Sequence, residues 1–517
     1  NNIVSSLKLV VILLIHSNAL VIPDFKTERE LLLFEESLAA VGGELLLSKD
    51  EMIANDIIMK WKYKELDESF KNPQFFNFSK HYFTYKKDIP RSRVYKMIRR
   101  MPKGAVLHVH SSLMLDPSVL VRLTYMDHLY ACFVNDSIRL DFSTVTPTRP
   151  CLHNGWILVS DLRREAVSRS GNASYFDFQL EKYFTLYKEN ANYSSPDINT
   201  IWKQFDEVYY AIKSLISYRP AREIYWYETL KTFYDDNVMY IEVRTGLHSL
   251  YELDGTKHDK KYMLELYKRV TDKFISEYPD FVGVKFIVTR HRTQSVEEVL
   301  EALNYTIKLK KEMPEMIAGF DLVGQEELGR PLLDFFPIFS NARNDIDYFM
   351  HAGETSWLGT STDENLVDAI LLGSKRIGHG YALMKHPMLL TVVKNRNIAL
   401  EVNVISNVVL SLVQDVRNHP LATYLAMGLP IVISSDDPGA WSSEPLSHDF
   451  FVTFMAIASR QADLRMLKQL ALNSIIYSAL DDDGKAKLTE VFNKRWEKFI
   501  NDVISSNLPV CHFCIFK

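Results

Sequence analysis

Between residues 104 and 438 the chain repeats one unit eight times: a short run of β-branched and apolar residues, a polar or glycine-bearing turn, then a stretch of helix length. The runs cover 104–110, 238–245, 281–291, 317–324, 346–353, 376–380, 398–407 and 429–438. Stretches between them, such as 295–311 and 362–373, carry helical periodicity, so strands alternate with helices and a parallel sheet follows. Eight such units predict an α/β fold, a closed (β/α)8 barrel of the TIM type, with an open doubly wound sheet as the structural alternative. No glycine-rich dinucleotide fingerprint follows the first run.

The repeat is interrupted between its first two runs, where residues 122–234 are too long for one crossover. Residues 122–185 read as an exposed insertion holding Cys132 and Cys151, which are close enough in sequence to close a loop in an oxidising compartment, buried free thiols being the alternative. Three of five N-x-[ST] sequons, Asn135, Asn172 and Asn192, cluster in and just beyond it; the others are Asn77 and Asn304. Residues 201–233 read as helix returning to the barrel. Ahead of the first run, in a helical segment covering 20–100, Thr27-Glu28-Arg29-Glu30 and Ser48-Lys49-Asp50-Glu51 each fit a capping box and predict two helix starts. In the second helix Ile53, Ile57 and Trp61 share a face that serves either the core or a partner. The barrel is expected over 101–505, followed by a tail, 506–517, whose Cys511 and Cys514 receive no function.

The first 19 residues read as a secretory signal peptide: a short polar start, the apolar run 9–15, then Ser17-Asn18-Ala19 with small residues three and one before a cleavage point. The run falls far short of the roughly 20 apolar residues of a spanning helix. Signal, sequons and cysteines together predict a secreted, extracellular glycoprotein with no membrane span. A net charge of −5 and a pI near 6.3 leave no basic field for phosphate backbones, which counts against nucleic acid and in favour of a small ligand.

Functional groups of a parallel barrel gather at the C-terminal ends of its strands, and there this sequence places His108-Val109-His110, His351-Ala352-Gly353-Glu354, Gly378-His379-Gly380 and Ser434-Ser435-Asp436-Asp437-Pro438. Alternation along a strand sends His108 and His110 to one side. Three neutral imidazoles and a carboxylate suit Zn2+ and leave room for a water whose pKa falls toward about 7, while a nearby carboxylic acid and imidazole move protons. Taken singly, His379 could be a packed core residue and Asp436-Asp437-Pro438 a helix cap.

The motifs H-V-H, F-D-L-V-G, H-A-G-E, R-I-G-H-G and S-S-D-D-P, in this order, resemble the adenosine deaminases over about 101–503. The N-terminal helices and the Cys132–Cys151 insertion resemble the secreted adenosine deaminase growth factors of that family. The resemblance implies hydrolytic deamination of adenosine, and of 2′-deoxyadenosine, to inosine and ammonia, with one zinc per subunit on His108, His110, His351 and Asp436. It further implies that Glu354 protonates purine N1, that His379 orients the attacking water and accepts its proton, and that Asp437 bonds near N7. Gly324 would offer its N–H to N3. His291 and the segment Trp202, Lys203, Gln204, Phe205, Asp206, Glu207, Val208 and Tyr209 would contact the nucleoside. It implies a homodimer built through the N-terminal helices and an insertion that binds a cell-surface receptor or glycosaminoglycan; a receptor-binding growth factor with the barrel as scaffold is the alternative function, and an amidohydrolase acting on adenine or AMP a third. One departure stands out: where the family commonly has Asp after the second histidine, this chain has Ser111 followed by Ser112, and losing a charge-assisted bond of roughly 1.5 to 3 kcal/mol there is expected to raise KM.

Overall fold

The structure is a computed structural model, and it describes residues 24–507 except 73–77, 135, 152–154, 190–192 and 194–196. The expected signal segment, the sequons Asn77, Asn135 and Asn192, and Cys511 and Cys514 lie outside the described residues.

Eight strands follow the eight runs: β1 Gly104–His110, β2 Val238–Thr245, β3 Gly283–His291, β4 Ile317–Val323, β5 in two pieces (Asp347–Tyr348 and His351–Ala352), β6 Arg376–His379, β7 Ala399–Val402 and β8 Ile431–Ile433. Every neighbouring pair is parallel. The sheet closes where the His110 amide donates to the Asp436 carbonyl (3.1 Å) and the Asp436 amide to that of His108 (3.0 Å). That closure removes the open sheet as an alternative. All eight residues of β2 are buried, as a strand between a filled barrel interior and an outer layer of helices must be.

Three runs are less regular than their composition predicts, each for a local reason. β5 breaks because the His351 amide donates to the Asp321 carboxylate (2.9 Å) instead of to a neighbouring backbone. Past Val402 the run 398–407 turns into the short helix Val404–Val409, whose Ile405 amide is taken by Asp449 Oδ1 (3.0 Å). The last run is a strand for only three residues, after which the backbone switches partner from β7 (Ser434 N to Val402 O, 3.0 Å) to β1. Elsewhere the expectations hold: Val296–Glu312 starts on a capping box of Ser295 and Glu298, and Asn365–Leu372 stops at Gly373, whose φ of 75° lies in the left-handed region.

The insertion is a three-stranded antiparallel sheet of Leu129–Val134, Ser137–Phe142 and Ile157–Leu158, followed by the helices Val159–Ser170 and Ser174–Glu181. Cys132 and Cys151 are disulfide-bonded, which closes the question of free thiols. The return is helical, through Ile198–Leu215 and Arg219–Asp235. Asn172 and Asn304 are exposed. No helix among the described residues is long and apolar enough to cross a membrane.

At the N-terminus, helix Lys49–Lys71 opens on the expected box: Ser48 Oγ accepts the Glu51 amide (3.2 Å), and Glu51 Oε2 accepts the Ser48 amide (2.8 Å). The box at Thr27 does not form. Helix Phe25–Ala39 begins two residues earlier, with Asp24 at the cap position, so Thr27 already lies inside the first turn. The buried stripe of Lys49–Lys71 is Ala54, Ile58, Lys62 and Glu65; Ile57 and Trp61 flank it and Ile53 is half exposed. Lys62 Nζ donates to the carbonyls of Ser459 (3.0 Å) and Ala462 (2.7 Å) over the Phe454 ring, and Glu65 takes the Arg93 amide (2.7 Å) at the start of the next helix.

Burial pushes the Lys62 ammonium down to about 7 against a partial pull upward by Asp463. The unfolded chain keeps this proton to about pH 10.4, so the unfolded state binds more protons between the two values and stability rises with pH across that window. Lys62→Met lacks the effect. In thermal unfolding the natural protein is expected to gain on the variant between about pH 7 and pH 9.5; a constant difference would show that Lys62 stays charged in the fold.

Candidate active site

The strand ends bring the expected residues together. His110 Nε2 lies 3.2 Å and His108 Nε2 3.4 Å from Asp436 Oδ1, and the ring centroids of His108 and His351 are 4.6 Å apart. One donor atom from each of His108, His110, His351 and Asp436 lies within 4.8 Å of the others; Glu354 and His379 form an overlapping group around the same Asp436.

Two rings are oriented from behind. His108 Nδ1 sits 2.8 Å from Glu401 Oε2 and His351 Nδ1 2.6 Å from Asp321 Oδ2, so both rings donate from Nδ1 and turn the Nε2 lone pair into the cluster. His108 Nε2 is enclosed without a hydrogen-bond partner. Burial pushes His351 down to about 3 and His110 below its ordinary value, which keeps these two rings neutral. Burial acts to raise Asp436, but its contacts with His108 and His110 hold its carboxyl well below the usual range. Beneath them lies a buried ionic floor. Arg244 reaches Asp321 (2.8 Å) and Glu401 (2.7 Å), and Arg376 reaches Glu401 (2.6 Å) and Glu242 (2.6 Å).

The backbone is strained at the site: His379 and Asp436 both have φ of 61°, a left-handed conformation costing an L-residue about 1 to 2 kcal/mol. Gly324 has φ of 99°, and a Cβ there would come within 2.3 Å of His291 Nε2, so this position admits only glycine beside that ring. Glu354 is pushed well above the carboxylate range by burial and then by Asp436, and so is Asp437; Glu354 Oε1, 3.4 Å from His379 Nδ1, and Asp437 Oδ1 are buried without a hydrogen bond.

A cavity of about 660 Å3 opens over the cluster. His110, His351, Glu354, His379, Asp436 and Asp437 line its inner part, and Ser111, Gly324 and His291 its wall. Of the segment 202–209, Trp202, Phe205, Asp206 and Tyr209 line it, the spacing of one helical face. Lys203 and Gln204 are exposed, Glu207 pairs with Arg139 (2.7 Å) and Val208 is buried, all on other faces of the helix.

Sequence reasoning missed the residues behind the site. The Leu421 amide donates to His419 Nδ1 (3.0 Å), so the buried, neutral His419 carries its proton on Nε2 and donates to Asn407 Oδ1 (2.9 Å). That leaves the Asn407 NH2 to donate to His379 Nδ1 (3.2 Å), and His379 keeps its proton on Nε2, the side facing Asp436 Oδ2 at 3.7 Å. Asn403 Nδ2 lies 3.4 Å from His379 Nε2 while Asn403 Oδ1 has no partner; turning that amide over satisfies both. Ser406 Oγ donates to Asp436 Oδ2 (2.7 Å). The available signal was polar residues inside apolar runs, Glu242, Arg244, Arg376 and Glu401; Asn407 and His419 have no spacing that marks them.

A family model described as "Adenosine deaminase" matches residues 185–495, and one described as "Adenosine/AMP deaminase N-terminal" matches 8–98. The chain is 41% identical over 479 residues to human adenosine deaminase 2, covering 91% of this chain and 92% of that protein. It is 40% identical over 477 residues to an adenosine deaminase of Aedes albopictus, covering 92% and 88%. Among solved structures it is similar to an Arabidopsis N6-mAMP deaminase (TM-score 0.55, 19% identity, 77% of this chain and 99% of that one). It is also similar to an adenine deaminase from Arthrobacter aurescens (TM-score 0.53, 20% identity, 77% and 99%), and both show a shared fold.

The relay behind His379 is open to a direct check. Nitrogen-15 shifts of histidine-labelled protein are expected to show His379 protonated on Nε2, and His419→Leu, by freeing the Asn407 amide to rotate, is expected to mix the two tautomers. A His379 signal protonated on Nδ1 in the natural protein would rule the relay out.

Proposed function

This chain belongs to the adenosine deaminase family, and we propose that it converts adenosine and 2′-deoxyadenosine to inosine nucleosides and ammonia at one zinc ion per subunit, as a secreted homodimer. It is a hydrolytic deaminase. The observation that carries the zinc assignment is the donor set: three imidazoles and an ionised carboxylate within mutual reach, two of the rings oriented by carboxylates and one Nε2 buried with no other partner. His108, His110, His351 and Asp436 would hold the ion. Bound there, it would lower the pKa of a water toward about 7 and so supply hydroxide at neutral pH.

The chain's own residues supply the rest. Glu354, crowded by buried carboxylates, keeps a proton to give to purine N1, which makes C6 electrophilic. The relay through His419 and Asn407 gives His379 an Nε2–H, so His379 holds the attacking oxygen by donating to it rather than by accepting its proton. Asp437 bonds near N7, and the Gly324 amide reaches N3 where no side chain intervenes. Trp202, Phe205, Asp206, Tyr209 and His291 close the cavity around the sugar, and Ser111 faces it in place of an acid. The amino group takes up the proton of the hydroxyl now on C6 and leaves as ammonia as the C6–N bond breaks, the C6 oxygen becomes the carbonyl, N1 keeps the proton from Glu354, and the proton released when the water ionised restores Glu354.

Secretion is supported by the disulfide and by the exposed sequons Asn172 and Asn304. The dimer is supported by helix Phe25–Ala39, which buries no residue and exposes Phe25, Leu31, Leu32, Leu33 and Phe34. The insertion is the surface available to a receptor or glycosaminoglycan.

Adenosine turnover followed by ultraviolet absorbance is expected to disappear with a zinc chelator, return with Zn2+, and fall by about 10²- to 10⁴-fold in kcat in Glu354→Ala. In the same assay Ser111→Asp is expected to lower KM for adenosine roughly tenfold. Full activity after metal removal would sink the zinc assignment. Sedimentation is expected to show a dimer at micromolar concentration, and Leu32→Glu with Phe34→Glu a monomer; a natural monomer would remove the dimer.

A further inference from the structure

The cavity has a second chemistry away from the metal cluster. Lys213, Lys260 and Arg290 all line it. They come from three elements that converge at the C-terminal side of the barrel: Lys213 from helix Ile198–Leu215, Lys260 from the start of helix Lys260–Glu277, and Arg290 from the end of β3. All three are half-buried.

Half-buried cations normally find an oxygen, because desolvating an unpaired charge is costly. In this molecule the half-buried Lys86, Lys285, Lys310 and Lys468 and the fully buried Lys62 and Lys103 each reach one. Among the described residues Lys213 and Lys260 reach none; their ammonium groups lie 5.4 Å from the Tyr209 ring and 5.8 Å from the Tyr305 ring. Arg290 spends only Nη1, on the carbonyls of Gly246 and Thr289 (both 2.7 Å). Glu207, on the helix that carries Lys213, is engaged with Arg139, and Glu252, in the segment ahead of Lys260, with Arg219 and His258. Glu301 attracts Lys260 and Arg290 without reaching ion-pair distance, and Asp206 feels Glu207 rather than any of the three cations. His248, in the same wall, is held neutral by burial, then by Arg222 and Lys213, and cancels none of the charge. Burial, and then Arg290, pushes Lys260 below its ordinary value against a partial pull upward by Glu301.

We propose that Lys213, Lys260 and Arg290 form an anion subsite and that the cavity accepts purine nucleoside 5′-monophosphates as well as free nucleosides. The inference rests on the deaminase reading for orientation alone: with the base at the metal cluster the ribose points outward, and a phosphate on C5′ arrives at three unpaired donors. Two lysines as point charges and a free guanidinium edge suit a phosphate monoester dianion.

Calorimetric binding of inosine and inosine 5′-monophosphate to the zinc-loaded protein tests this without turnover. The monophosphate is expected to bind at least about tenfold more tightly than inosine, with the ratio shrinking at high salt. In Lys213→Gln/Lys260→Gln the ratio is expected to fall toward one while inosine binding moves by less than about twofold. Equal binding of the two ligands to the natural protein, or a ratio unchanged in the double variant, overturns the subsite. Adenosine turnover by the same preparation separates that outcome from a failure of the deaminase reading: intact turnover with no phosphate preference discards the subsite alone. A phosphate preference that depends on the two lysines, in protein that does not turn adenosine over, keeps the subsite and discards the enzyme.

Discussion

The ionic floor of the barrel is the constraint on which the rest depends. Two guanidiniums, Arg244 and Arg376, are buried against three carboxylates, Asp321, Glu401 and Glu242, which leaves the group one negative charge in excess. Such a network contributes little as net stability, since desolvation offsets most of the attraction. Its value is geometric. Asp321 Oδ2 accepts from both Arg244 and His351, and Glu401 Oε2 from both Arg244 and His108, so the positions of His108 and His351 are set by charges that cannot move independently. Removing either arginine would leave buried carboxylates uncompensated, at about 3 to 5 kcal/mol, and removing Asp321 or Glu401 would release a ring. The excess negative charge also suits a cation above it.

That arrangement explains which parts of the molecule were legible in the sequence. The barrel was legible because eight apolar runs separated by helical stretches admit few topologies. The candidate metal-binding cluster was legible because histidines and acids at strand ends stand out against apolar runs. The floor was not, because Glu242, Arg244, Arg376 and Glu401 each look like a stray charge in a strand, and they acquire meaning only when closure brings four strands around one axis. Asn407 and His419 were invisible for another reason: they act through hydrogen-bond direction, which leaves no periodic trace. Local rules failed at two places, one helix start and one strand. The Thr27 box has the right spacing, but the helix begins at Phe25, and β5 breaks because a carboxylate claims the His351 amide.

The segments outside the barrel are tied to it by polar anchors as much as by apolar packing. Lys62 and Glu65, one turn apart on a buried helix face, each bond backbone groups of a different neighbour, the loop at 459–462 and the start of helix Arg93–Arg100. A helix held this way has one register and one rotation, which apolar contacts alone would specify less sharply. The insertion is braced within itself by its disulfide and leads into the helix Ile198–Leu215, one face of which becomes a wall of the cavity. An element added between the first two strands therefore shapes what the barrel can admit.

The left-handed backbone at His379 and Asp436 has a consequence for how such a chain would change if its chemistry fell out of use. Both positions are ones that a glycine would occupy with less strain, and both are filled by residues whose side chains crowd the metal cluster. Only selection for that cluster holds an imidazole and a carboxylate in place against the backbone's preference. A lineage that kept the barrel solely as a scaffold would be free to relax these two positions first, gaining stability as it did so. The identities at 379 and 436 thus work as a record of use, separating working members of the fold from inherited shells more sharply than any measure of resemblance along the rest of the chain.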